Sequence, residues 1–269
     1  MIATAYSLFL RRELPAKQTF VLALASLIPA GITLLVRLVF GGGKEFIEAT
    51  GAPLTLYGPA VLVPIFYAVP AFHEEFESRT IVYLLTRPPT RASYVIGKFL
   101  TAWTCSSVAI TLGILVMGFI AGWNQGAPDY FAAITGKLLV VSWLSCAVYS
   151  SLFLVFGMWL KNPVIYGLIF TFGWEYLVAI LPGQLQDWTV GMYPKALFIR
   201  WANSDPVPFF PWMSRGSGEQ NPALSALNAA IDSPDLEIPS LLVCAVVIPA
   251  MTLAFLAIAI LIFRRREDA

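Results

Sequence analysis

Charge is what this chain has least of. Of its 269 residues only 12% are charged, whereas a soluble domain carries roughly a quarter, and 58% are hydrophobic with a mean hydropathy of +0.75. That deficit excludes an ordinary soluble domain and implies an integral membrane protein. The net charge of +1 points to neither nucleic acid nor an acidic partner. Histidine is nearly absent as well: His73 stands alone, which excludes multi-histidine metal sites and histidine-dependent hydrolysis. A metal held by His73, Glu74 and Glu77 is conceivable on paper, but neighbouring acids of this kind are more often solvated charge, so no metal site is assigned.

Also missing is a phosphate-cradling loop of the form GxxxxGK followed by Ser or Thr. Gly41-Gly42-Gly43-Lys44 is followed by Glu45, Gly97-Lys98 by Phe99 and Gly136-Lys137 by Leu138. Nucleotide hydrolysis, if used, must come from another polypeptide. Cys105, Cys146 and Cys244 each fall inside a hydrophobic run, which argues against a disulfide framework and a thiol metal site. The first residues do not read as a cleaved signal peptide. Instead Ile2, Tyr6, Phe9 and Leu10 share one helical face and Thr4, Ser7 and Arg11 another, which predicts an interfacial helix over 1–15, stopped by Pro15.

What is present in abundance is long apolar sequence. A helical crossing needs about 20 mainly apolar residues, and six runs satisfy this: about 18–40, 53–72, 95–122, 132–159, 163–181 and 239–263. The expected fold is an all-α integral membrane protein with six transmembrane helices in one domain spanning 1–269. Six crossings put both termini on one side. Taking that side as cytoplasmic places Arg11, Arg12, Lys17, Arg79, Arg87, Arg91, Lys98, Lys161, Arg264, Arg265 and Arg266 inside, the majority of the 17 basic residues. The tight turn Lys161-Asn162-Pro163 makes spans four and five antiparallel neighbours. Between spans five and six, residues 182–238 hold seven prolines and Trp188, Trp201 and Trp212, which suits a compact external cap. Within it Asn221-Pro222 starts an expected short amphipathic helix that ends before Pro234.

Charge concentrates in one stretch, FHEEFESRTIVYLLTRPPTRASYVIGKF from Phe72 to Phe99. Glu74, Glu75 and Glu77 are expected to open a short helix, where its positive dipole end favours acids, with Arg79 one turn after Glu75. Ile81, Val82, Leu84 and Leu85 give it an apolar end, and Pro88-Pro89 stop it. Lys98 and Lys137 lie close enough to span ends to snorkel and gain no special role here. Two further charges, Glu175 and Arg37, fall within apolar runs. Glu175 either lines a polar path or pairs with Arg37, or else belongs with Trp174 and Tyr176 to the interfacial aromatic belt and reaches water; these readings stand open at this point.

The order of Glu75, Arg79-Thr80, Leu84-Leu85, Pro88, Arg91 and Gly97-Lys98 resembles the ABC type-2 permease family, with Arg79 where the family usually has a small residue before the Thr. That resemblance implies the membrane-spanning permease subunit of an ATP-driven exporter in the cell's inner or plasma membrane, not itself an enzyme. It implies a cytoplasmic ABC ATPase partner in two copies, which would bind the ATP and magnesium, and a second permease copy or a related permease. Membrane lipid surrounds the chain, and it needs no cofactor of its own. Segment 73–91 would be the coupling helix seated on the ATPase, with Glu74, Glu75, Glu77, Arg79, Thr80, Leu84, Leu85, Arg87, Pro88 and Arg91 as its contact residues. The competing readings are a membrane anchor or regulator that transports nothing, and an intramembrane enzyme built on Glu175 and Arg37.

Overall fold

A computed structural model of the chain describes residues 6, 17–40, 51–77, 91–123, 128–180, 188–202 and 239–265. Helices are the only regular elements among them. In a bilayer, backbone amides and carbonyls find no water, so helices that satisfy themselves internally are the expected solution for apolar runs of this length. In chain order they are α1 (Lys17–Ala25), α2 (Ile28–Phe40), α3 (Ala52–Tyr57), α4 (Pro59–Glu77), α5 (Arg91–Gly122), α6 (Pro128–Trp159), α7 (Pro163–Ile169), a π-helical turn (Phe170–Tyr176), α8 (Leu177–Ile180), α9 (Met192–Ala202) and α10 (Leu241–Arg265).

Four stretches are long and apolar enough to cross a membrane: Ala52–Phe72, Ala92–Gly122, Asp129–Trp159 and Leu241–Arg265. They coincide with four of the six predicted runs. The other two are apolar but interrupted. The first breaks at Ser26-Leu27 into α1 and α2, leaving a shorter apolar stretch, Thr19–Leu35. Pro29 has no N–H to return to the preceding turn, and the Ser26 hydroxyl instead donates to the Ala109 carbonyl of α5 at 2.6 Å. Helix α5 can come this close because residue 113 is glycine: a Cβ there would lie 2.1 Å from the Ser26 carbonyl oxygen. The other, predicted at 163–181, is α7, the π-helical turn and α8 in succession.

Helix α6 is the axis of the bundle, packing against α4, α5 and α10. Its apolar window is 78% buried within the chain, whereas that of Leu241–Arg265 is only 17% buried, so α10 is a peripheral helix turned largely outward. Helix α7 packs back on α6 and α4, as the tight Lys161-Asn162 turn requires. Pro128 and Pro163 each occupy the first helical position, where a missing N–H costs nothing, and Asp129 sits favourably in the first turn of α6. Tyr6 is the only described residue of the expected interfacial helix over 1–15, and the expected helix beginning at Asn221 lies outside the described residues.

Candidate functional site

The charged stretch is approached from both sides by described helices. Helix α4 does not stop at Phe72 but continues to Glu77, and α5 resumes at Arg91. The backbone of Glu74, Glu75 and Glu77 therefore continues the helix of span two instead of opening a new one, because the apolar pattern of span two runs straight on into them. Arg79, Thr80, Leu84, Leu85, Arg87 and Pro88 lie outside the described residues, as do the side chains of the three acids, of Arg91 and of Arg37.

The roots of the stretch are joined inside the bundle. Phe72 near the end of α4, Tyr94 at the start of α5 and Phe263 at the end of α10 form a triangle of rings. Their centroids are 5.9 Å (Phe72 to Tyr94), 5.8 Å (Phe72 to Phe263) and 6.0 Å (Tyr94 to Phe263) apart. Lys98, one turn after Tyr94, reaches across them: its Nζ lies 5.9 Å from the Phe72 ring centre and 5.8 Å from that of Tyr94, and donates to the Ala71 carbonyl at 2.7 Å. Lys98 is only 6% exposed, so it does not snorkel as the sequence suggested. Its charge is used at the protein's own backbone and aromatic faces, which satisfy an ammonium group where water is excluded. The result is an inner joint in which α4, α5 and α10 are tied within a few residues of the point where the charged stretch leaves and returns.

Glu175 occupies a second built site. Two wider turns of the π-helix put Thr171 and Glu175 on its inward face, while Phe172 and Trp174 point outward. A π-helical turn inserts one residue into the α-helical register and so rotates the residues beyond it; such turns recur at functional sites. Glu175 is 1% exposed, so the reading in which it reaches water from an aromatic belt is overturned. Its Oε1 accepts the Val190 N–H and its Oε2 the Gly191 N–H, each at 3.0 Å. Those amides lead into α9, so the carboxylate meets the positive end of a helix dipole.

Gly191 is required by closeness: a Cβ there would lie 3.0 Å from Glu175 Oε2, 3.1 Å from the Tyr149 hydroxyl and 3.4 Å from the Tyr57 ring. The Tyr149 hydroxyl stands beside the same carboxylate. Next door, the Tyr176 hydroxyl donates to the Tyr57 carbonyl, at the break between α3 and α4, and Lys195 of α9 stands 5.7 Å over the Tyr57 ring. The cluster thus joins the upper end of span two, α6, the π-helical turn and α9. Helix α9 packs on α6 and α10, with Met192, Pro194, Ala196, Leu197 and Phe198 buried.

Sequence reasoning missed Lys98 and α9. The signal for Lys98 was its position one turn inside an apolar run, and that for α9 was Pro194 in the first turn of a stretch with Met192, Ala196 and Leu197 at helical spacing. The described partners of Glu175 are neutral amides, and whether Arg37 approaches it lies outside the described side chains.

None of the curated proteins compared matches this chain. A family model described as ABC-2 family transporter protein matches residues 43–267, from before the first long apolar helix to the end of the last, and takes in both the inner joint and the Glu175 cluster. On that match the chain belongs to the ABC-2 transporter family, as a membrane-embedded permease of the ABC transporter type.

Proposed function

We propose that this permease is the membrane half of an ATP-driven exporter and converts the motion of a separate cytoplasmic ATPase into movement of its spans. Six crossings, with the interrupted α1–α2 and α7–α8 stretches as spans one and five, put both termini and residues 78–90 in the cytoplasm. The residues from Glu74 to Arg91 form the contact with the ATPase, and two permeases work with two ATPase copies. Members of the family normally work with such an ATPase.

The observation that carries this reading is the inner joint. A push on the charged stretch acts at Glu77 and Arg91, and the Phe72, Tyr94, Phe263 and Lys98 contacts force α4, α5 and α10 to move together. Without such a joint a surface loop would absorb the displacement. The absence of a phosphate-binding loop in the sequence leaves ATP to the partner.

The test is to co-purify the ATPase with the permease and compare wild type with the double variant Glu75→Lys, Glu77→Lys. The expected result is a permease still inserted in the membrane, with ATP hydrolysis no longer coupled to transport. Undiminished transport by that variant would remove the assignment of this stretch as the ATPase contact. A cysteine placed at Thr86 is expected to cross-link to the ATPase.

A further inference from the structure

We infer that the Glu175 carboxylate is a latch that holds the outer half of the transport route shut by gripping the amino end of α9, and that it lets go once in each transport cycle. The inference rests on the reading of this chain as an ATP-driven permease.

Two features distinguish a latch from a permanent helix cap. The first is the cost of the closed state. A carboxylate in a dry interior is strongly unfavourable unless its hydrogen bonds are made, and here its described hydrogen-bond partners are two neutral amides at a helix start. Water competes well for such a group, so the held state and a hydrated, released state are two discrete alternatives rather than a continuum. The second is the π-helical turn itself. Relaxing Phe170–Tyr176 into ordinary α-helical register rotates Glu175 by roughly 100°, one residue of helical twist, which carries the carboxylate away from Val190 and Gly191.

The connection to the inner joint is direct. Tyr57 and Phe72 are 15 residues apart on one kinked helical stack, roughly 20 Å, so a tilt of α4 imposed at Phe72 arrives at the Tyr57 carbonyl held by Tyr176, the residue next to Glu175.

The experiment uses the assembled permease and ATPase complex in proteoliposomes. Cys105, Cys146 and Cys244 are replaced by alanine, and Val190→Cys supplies a reporter thiol while keeping the backbone N–H that Glu175 accepts. The rate of reaction with a membrane-impermeant maleimide is measured from each face, with and without ATP. In the wild-type latch the reporter is expected to react slowly at rest from the outer face and faster during ATP turnover. Glu175→Gln is expected to raise the resting rate by about tenfold or more, the scale of losing a hydrogen bond to a charged group, and to abolish the ATP response. Glu175→Asp, which keeps the charge, is expected to retain that response.

A resting rate and ATP response in Glu175→Gln equal to those of wild type overturn the latch and leave Glu175 a static cap. Should Glu175→Gln fail to assemble, Gly191→Ala crowds the same carboxylate without removing it, with the same expected and overturning rates. An absent ATP response in the wild-type reporter overturns the latch alone where the same proteoliposomes still show ATP-dependent transport, and overturns the ATP-driven reading as well where ATP drives no transport; reaction only from the cytoplasmic face overturns the assigned orientation.

Discussion

At the Phe72 end of the bundle, three aromatic rings and a lysine close around a backbone carbonyl; at the Tyr57 end, a carboxylate is held by two backbone amides among tyrosine hydroxyls. The two junctions lie on the same helical stack yet are built for different behaviour. Ring packing is short-ranged and gains from every atom in contact, so the inner joint resists separation along its whole surface. The carboxylate depends on two hydrogen bonds and has water as an alternative, so the outer junction has few contacts to lose and somewhere to go. On the proposed reading, force enters at the first junction and the route opens at the second.

Substitutions separate the two. The largest loss is expected from Phe72→Ala, which empties the centre of the aromatic triangle: about 3–5 kcal/mol on the scale of buried Phe truncations, read as a fall in thermal stability of the purified permease together with loss of ATPase-coupled transport. Gly191→Ala comes next, at roughly 1–3 kcal/mol, because the new methyl meets the Glu175 and Tyr149 oxygens; here stability should fall less than in Phe72→Ala while transport changes more per unit of stability lost. Equal ratios for the two variants would erase the distinction between joint and latch.

Lys98→Met is expected to cost within about 1.5 kcal/mol, since an apolar side chain of similar length replaces one hydrogen bond and a ring contact, yet to lower the number of molecules moved per ATP hydrolysed. Wild-type coupling in that variant would show that the rings alone carry the force. The smallest effect belongs to Tyr176→Phe, which deletes the hydroxyl bonded to the Tyr57 carbonyl. About 0.6 kcal/mol is typical of such bonds in membrane proteins, and the expected consequence is a resting Val190→Cys reporter rate between those of wild type and Glu175→Gln.

How much of this was legible beforehand differs from element to element. The long helices α5, α6 and α10 could be read almost to their ends, because twenty apolar residues in a row have few alternatives to a membrane-spanning helix. The motif from Glu75 to Lys98 led to the family that the match over 43–267 then established. The breaks were harder. The first run was read as one unbroken span, and its interruption depends on Ser26 finding the Ala109 carbonyl of another helix across the opening left by Gly113. The acids were weighed as a helix start from local charge alone, when the helix beneath them was already running. At the two sites, Glu175 stood out as a charge in an apolar run, but its partners are backbone amides, which every residue has and no sequence pattern advertises.

The sequence by itself determined that the chain is helical, that it is built for a membrane and that it has no phosphate-binding loop of its own. Each of these comes from composition, run length or spacing along one strand of residues. Only the tertiary structure decided that Lys98 is buried beneath aromatic rings, that a π-helical turn aims Glu175 inward and that the amides before α9 meet it. The reason is that a charge in a low-dielectric interior is governed by the few groups within hydrogen-bonding distance of it, and at both junctions those groups are backbone atoms of another element, 15 to 27 residues away.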